Sequence, residues 1–408
     1  MRRSSLLQGG WSAALVTTLI LALTGTTLAD DPPSGVQARR VALAALADGG
    51  LAIVDPDAGR QLGRIEGLGD ATFGIALNPS NPRQAWAVSE NAGLLYELDL
   101  STWAIKGRPI DLSGGAGRPI QAHQPAFTPD GRFIVITVPG DDTLTLVHTA
   151  TRAVSKINVP DRPHIVSVDA ATGHAFVSCR GARPSAVFLD LPALDRRYDL
   201  SRGVRLGADE LRAAGSAHMT IDLKLIPRVI TAMGRRRFAV AVYGKRGPLI
   251  YQAGQDGQAT LVDDLDLLVR ERPRGVKANQ EYLEAQAVSA DGRTLAGTDQ
   301  GPEPCLRIWT LDADGRGVRE QPRILLPLEP YWVVLSEDAK TAWVTLHRQV
   351  DQSGREVTGR VLTIDLERRQ VTHSVAIDDD GGLHCPKRLL VTTLPLQSIK
   401  ALQERNSK

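Results

Sequence analysis

The feature that most restricts the fold of this 408-residue chain is a phrase that returns along it: an apolar run, a Ser/Thr-x-Asp-Gly-Arg turn and a second apolar run. One copy reads Phe127-Thr128-Pro129-Asp130-Gly131-Arg132-Phe133-Ile134-Val135, and another Val288-Ser289-Ala290-Asp291-Gly292-Arg293-Thr294-Leu295-Ala296. A looser third is Leu335-Ser336-Glu337-Asp338-Ala339-Lys340-Thr341-Ala342-Trp343. Short strands that repeat at a spacing of roughly 40–50 residues are the sequence mark of a β-propeller.

Aligned on this phrase, the units cover residues 41–66, 72–110, 123–160, 164–206, 218–262, 284–325 and 329–377. The expected fold is therefore all-β: a propeller of about seven four-stranded blades. The third strand of most units closes on an acid, at Asp55, Asp99, Asp190, Asp312 and Asp365. A carboxylate there can accept bonds from the backbone N–H groups of a following turn. The first unit lacks an innermost strand, whereas residues 387–393 form a strand without a unit. An open ring would leave two unpaired sheet edges, so the C-terminal strand is expected to complete the N-terminal blade. The domain reading is a signal peptide at 1–29, a disordered lead-in at 30–40, one propeller at 41–396 and a frayed polar tail at 397–408. Residues 263–283 read as an insertion with a short helix or lid.

The stretch from Phe127 through Thr137, the strand that closes at His148, and the Lys156–Val159 segment together resemble the YVTN-type β-propeller repeat. Arg162-Pro163-His164 resembles the Pro-His opening of that repeat. Where the repeat ends in Val-Thr-Asn, this chain has Val-Thr-Val, Val-Ser-Cys and Val-Thr-Leu. The resemblance implies an exported propeller. Propellers of this kind include binding and surface proteins, and relatives resemble lactonases, quinoprotein subunits and d1-haem propellers, so it implies no single reaction.

Met1-Arg2-Arg3, an apolar stretch at 13–23 and small residues up to Ala29 form an export signal with expected cleavage after Ala29. The apolar stretch is too short for a stable membrane span, and the expected location is periplasmic or secreted. Cleavage removes two arginines and no acid, which lowers the formal net charge from +2 to 0. That balance argues against a nucleic-acid partner. Cys179, Cys305 and Cys385 are too widely spaced for a haem-attachment or zinc motif, and an oxidising compartment permits one disulfide among them.

The repeated turn also serves as a ruler. Five residues before it stand Phe73, His123, His164, Glu284 and Tyr331. Equivalent positions on innermost strands point the same way. Arg228 belongs to the same column in a poorly aligned unit, and His384 stands near the closing strand. These residues are expected at one channel mouth, as the lining of a small polar ligand or substrate site. His123 and His164 are also candidate ligands of a divalent metal, although two neighbours make no full coordination sphere and imidazoles can simply hydrogen-bond an adjacent blade. Trp332, beside Tyr331, is a candidate aromatic floor, and His218 is expected on a loop ahead of its blade.

Serine-hydrolase, zincin and P-loop motifs are absent from the sequence. The functional expectation is a non-catalytic module that binds a ligand or a protein partner. The alternative is an enzyme or cofactor-handling propeller, lactonase-like or related to quinoprotein or d1-haem oxidoreductases, working at the same mouth.

Overall fold

The computed structural model describes residues 38–114, 120–254, 258–269, 283–312, 317–347, 349–350, 356–357, 359–377 and 386–406. The signal segment, the residues up to 37, His384 and Cys385 lie outside them. Seven antiparallel sheets form a seven-bladed β-propeller. The innermost strands are Pro386–Pro395, Thr72–Asn78, Pro125–Phe127, Pro163–Val168, Pro227–Ala232, Leu283–Val288 and Pro330–Leu335. Each of these strands contacts the next around the axis. Five of the seven open on proline, which suits them, because an innermost strand is a sheet edge and its first N–H needs no partner.

The expected closure is present. Strand Pro386–Pro395 runs antiparallel to Ala38–Leu46, from Ala38 opposite Pro395 to Ala45 opposite Arg388. One blade thus contains both ends of the described chain. Beyond it, residues expected to fray form a helix, Leu396–Asn406. Ile399 and Leu402 of that helix are buried, and Ser398 accepts a hydrogen bond from Trp103 Nε1 at 2.5 Å through its carbonyl. The polar tail is therefore corrected to a docked amphipathic helix whose apolar residues recur every three positions.

The repeated turns form as their residues require. Asp130 Oδ1 accepts from Thr128 Oγ1 at 2.6 Å and from the Arg132 N–H at 3.0 Å. Asp291 repeats this with Ser289 and Arg293, and Asp338 with Ser336 and Lys340. Gly131 and Gly292 take φ of 68° and 71°, the left-handed region open to glycine, whereas Ala339 is held there at 54°. The strand-closing acids also accept backbone bonds, Asp55 from Ala58 and Asp99 from Ser101.

One unit boundary differs from its expected place. After strand Ser185–Asp190 the chain enters helix Leu191–Tyr198, which Asp190 caps through the Ala193 N–H. Strand Arg205–Leu206 then pairs in parallel with Val154–Asn158 of the preceding blade. The fourth strand of the His164 blade arrives only at His218–Asp222, where His218 lies opposite Leu189. His218 is therefore on an outer strand, away from the axis. Cys179 and Cys305 are buried free thiols, and burial pushes them up to about 12 and about 11. Among the described residues no helix is long and apolar enough to cross a membrane.

Two predictions follow from this frame. Ala339→Gly removes the side chain from a left-handed position and should raise stability by about 0.5–1 kcal/mol in urea titration; a neutral or negative change would show that this turn is unstrained. Deleting residues 386–408 removes the closing strand and should abolish the single cooperative thermal transition, whereas a truncated protein that melts like the intact one would refute the closure.

Candidate functional site

Six of the seven inner strands enter their sheets through an irregularity at the same place. The register slips by one residue between Thr72 and Gly74, Pro163 and Ile165, Pro227 and Val229, Leu283 and Ala285, Pro330 and Trp332, and Pro386 and Arg388. The extra residues are Phe73, His164, Arg228, Glu284, Tyr331 and Lys387. In the remaining blade His123 stands just before Pro125, with its N–H on the Thr137 carbonyl at 2.9 Å. A bulge re-aims the side chain it carries, and the six bulged residues together with His123 form a ring of seven side chains at one end of the channel. Five members were readable by counting back from the turn, and Arg228 joins them. The seventh position belongs to Lys387, three residues beyond His384. A prolyl signal marks it, since Pro163-His164, Pro227-Arg228, Pro330-Tyr331 and Pro386-Lys387 share one pattern.

A second ring stands behind the first. The residue that follows the second strand of a blade is Glu90, Pro139, Arg180, Tyr243, Gln300 or His347. The backbone N–H of Glu90, Arg180, Tyr243 and His347 donates to the carbonyl of Ala71, Arg162, Ile226 and Glu329, each two residues ahead of an inner-ring residue. This repeated bond clamps the rings together. Sequence reading missed the outer ring because its residue types differ from blade to blade.

The ring members interact in three groups. Phe73 and His123 stack at 4.3 Å with an interplanar angle of 12°, and His164 meets His123 edge-on at 5.0 Å. Lys387 Nζ reaches Glu90 Oε2 at 2.7 Å, and His123 Nε2 lies 3.5 Å from Glu90 Oε1. In the second group Arg228 grips Glu284 with Nε and Nη2, the former at 2.7 Å from Oε2. The Tyr243 hydroxyl accepts from Arg228 at 3.2 Å and Arg180 at 2.9 Å. His164 Nδ1 lies 3.0 Å from the Arg228 carbonyl, so that nitrogen carries the proton and Nε2 is left as an acceptor. In the third group Tyr331 stacks on His347 at 4.0 Å. Arg388, only 2% exposed, lies 3.7 Å over Trp332 and 4.7 Å over Phe73.

Burial lowers the pKa of His123, His164 and His347, the last to about 4, so the three imidazoles are neutral at pH 7. Burial opposes the charge of Glu90, but hydrogen bonds from His123 and Lys387 outweigh it and bring the carboxyl down to about 2. Burial likewise opposes the charges of Arg228 and Glu284; their two-point contact outweighs this for Arg228, whose pKa is raised, and they stand as an ion pair.

A cavity of about 680 Å³ opens at one side of this mouth, lined by Phe73, His123 and His164 of the inner ring, by Glu90, Pro139, Arg180 and Tyr243 of the outer ring, and by Gln121, Arg162, Pro163 and Ile226; Arg228, Glu284, Tyr331 and Lys387 stand outside its wall. Its size is that of a small-molecule site. Among the described residues no group of three or more His, Cys, Asp or Glu side chains is placed to hold a metal ion. No Ser, Thr or Cys lines the cavity either. A smaller cavity along the inner strands, about 320 Å³, is lined largely by apolar residues and Trp332.

Stability should record the buried imidazoles. Their unfolded value of 6.5 exceeds the folded ones, so the unfolded chain takes protons first and stability falls as the pH drops from 6.5 toward about 4. Glu90 has the opposite origin but adds a loss in the same direction, from its ordinary 4.5 down to about 2. Calorimetry of His347→Phe, which keeps a ring against Tyr331, should show a flatter profile between pH 6.5 and 4; a profile parallel to wild type would exclude His347 as a source.

No protein-family model matches the chain, and no curated protein matches it in sequence. Among solved structures it is similar to the periplasmic gluconolactonase PpgL of Pseudomonas aeruginosa, at 15% identity and TM-score 0.63 over 87% of this chain and 99% of that one. It is also similar to Kuenenia stuttgartiensis hydrazine synthase, at 13% identity and TM-score 0.55 over 78% of this chain and 89% of that one. Dihydro-heme d1 dehydrogenase NirN in complex with DHE matches at 12% identity and TM-score 0.51, over 92% of this chain and 79% of that one. At such identities the likeness is one of fold, a propeller frame common to proteins of different chemistry.

Proposed function

We propose that this chain is an exported, non-catalytic propeller that holds a small polar ligand at the ringed mouth. The observation that carries the reading is the 680 Å³ cavity lined by inner-ring and outer-ring residues together. Neutral imidazole at His164 offers an acceptor, the Arg180 guanidinium offers donors, and Phe73 and Ile226 offer apolar surface. Sites of this composition fix the orientation of a ligand with a few convergent polar groups. No Ser, Thr or Cys is among the described residues of the cavity wall, and the Tyr243 hydroxyl is taken up by Arg180 and Arg228, which favours binding over covalent catalysis. Export rests on the leader, and cleavage after Ala29 would leave Asp30 as the first residue.

A second reading has one specific support. Glu90 is held ionised beside His123, an arrangement in which a carboxylate orients an imidazole as general base. On that reading the mouth would activate water against a lactone or ester, and Glu90→Gln would abolish turnover without unfolding the ring.

Protein purified from its native compartment should be colourless and metal-free, begin at Asp30, and release a small molecule on denaturation. The double variant His123→Ala/His164→Ala should melt cooperatively and release none. A stoichiometric metal or visible chromophore that disappears in that variant would overturn the non-catalytic reading.

A further inference from the structure

The charges at the mouth do not balance. Lys387 is paired with Glu90, and Arg228 with Glu284. Arg162, Arg180 and Arg388 have no carboxylate partner among the described residues, and Arg388 Nε and Nη1 are buried with no hydrogen-bond partner at all. The imidazoles, being neutral, add nothing. Three guanidinium groups therefore stand without an ion-pair partner at one end of the channel: Arg388 is buried and Arg180 half-buried, where charges are weakly screened, while Arg162 is exposed. Two acids close to Arg162 serve the loop: Asp142 accepts the Arg162 N–H at 2.9 Å, and Asp161 accepts the Ala182 N–H at 3.3 Å. Neither lines the cavity.

Two of the three arginines are held side by side. The Arg180 N–H donates to the Arg162 carbonyl at 3.0 Å, and both side chains line the cavity. Burial lowers the Arg180 pKa, and the repulsion of Arg228 and Arg162 adds to it, against the opposing pull of Tyr243 and Glu284. The backbone is strained at the same place. Arg162 and Gln121 each stand two residues before a ring histidine, and both take left-handed φ values, 57° and 52°, without being glycine. Non-glycine residues in that conformation persist where surrounding structure holds them, and they concentrate at ligand clamps. Here the two strained residues face the same cavity.

We propose that the mouth cavity binds a small organic polyanion, with a carboxylate held between Arg162 and Arg180 and further negative charge facing the field of Arg388. The inference rests on the reading of the mouth as a ligand site and narrows it to a charge class. Arg162 and Arg180 are the contacting residues. Arg388, packed against Trp332 and Phe73, acts through its field from below the mouth.

Isothermal titration calorimetry of the purified protein with acetate, succinate, citrate, inorganic phosphate and glucose tests this. Affinity should rise from acetate through succinate to citrate, weaken with added salt, and be lowest for glucose. Arg180→Gln and Arg162→Gly should each weaken citrate binding by about tenfold or more, the usual consequence of losing a hydrogen bond to a charged group. Arg162→Gly also relieves the left-handed position, so its melting temperature should match or exceed wild type. Arg388→Met should weaken citrate by a smaller factor while raising the melting temperature, because it replaces an unpartnered buried cation. Glucose binding that equals citrate and is lost in His123→Ala/His164→Ala would overturn the anion assignment and leave the mouth reading intact. A preference for phosphate over all three carboxylates would overturn the carboxylate class. Citrate binding unchanged in both Arg180→Gln and Arg162→Gly would place the anion elsewhere, and failure of every probe to bind would sink the anion assignment. If no small molecule is released on denaturation either, the mouth reading falls as well.

Discussion

The pairing of Pro386–Pro395 with Ala38–Leu46 is the constraint on which the rest of this molecule depends. A row of blades has two free sheet edges, and joining the chain ends in one sheet removes both. Closure also fixes the radius, which brings the seven strand entrances close enough for side chains from successive blades to touch. Phe73, His123 and His164 come from three blades and pack as one aromatic cluster. The closing strand contributes directly, because Lys387 and Arg388 sit on it, and Lys387 bridges to Glu90 of the next blade. The mouth is therefore assembled by the same event that completes the ring. Helix Leu396–Asn406 reinforces that event by docking on Trp103 of the neighbouring blade.

The fold was legible because its repeat has a chemical cause. An aspartate that binds both a Ser/Thr hydroxyl and an N–H two residues on forms the same turn wherever it occurs, and counting from that turn gives a common register. For this reason the count gives His123, Glu284 and Tyr331 one register; Phe73 and His164 are counted from Asn78 and Asp169, whose own side chains accept turn N–H groups. It gave no position on the closing strand, which runs into a helix and has no such turn, so Lys387 was passed over for His384. The prolyl opening of the edge strand was the available signal. The boundary near His218 was misplaced because residues 191–217 insert helices and one strand that joins the preceding blade. The outer ring was illegible for a different reason: its positions repeat in space but carry Glu, Pro, Arg, Tyr, Gln and His, which share no chemistry.

Removing charges from water is costly, and the mouth shows how the chain manages it. The Arg228–Glu284 pair meets along two bonds, and Tyr243 takes up a further donor of Arg228. Glu90 is satisfied by Lys387. Those charges are mutually compensated, so they orient the site more than they charge it. The imidazoles follow the alternative course and stay neutral. What remains are the guanidinium groups without an ion pair: Arg388, buried, Arg180, half-buried, and Arg162, exposed. A fold selected for stability alone would be expected to discard such groups, since an apolar side chain at Arg388 would pack against Trp332 without the desolvation cost.

Frame and chemistry separate cleanly in this architecture. The bulge at six of the seven strand entrances and the backbone bond between the rings are geometry, and they ask nothing of the side chains they carry. Gly74 illustrates the exception, since a Cβ there would come within 2.4 Å of Pro125 on the next inner strand. Elsewhere the ring positions tolerate Phe, His, Arg, Glu, Tyr and Lys in turn. That freedom explains how proteins at 12–15% identity can share the frame while differing in what they do. It also means that the identity of this mouth lies in its own residues: two neutral histidines, two compensated ion pairs, and three arginines that form no ion pair among the described residues.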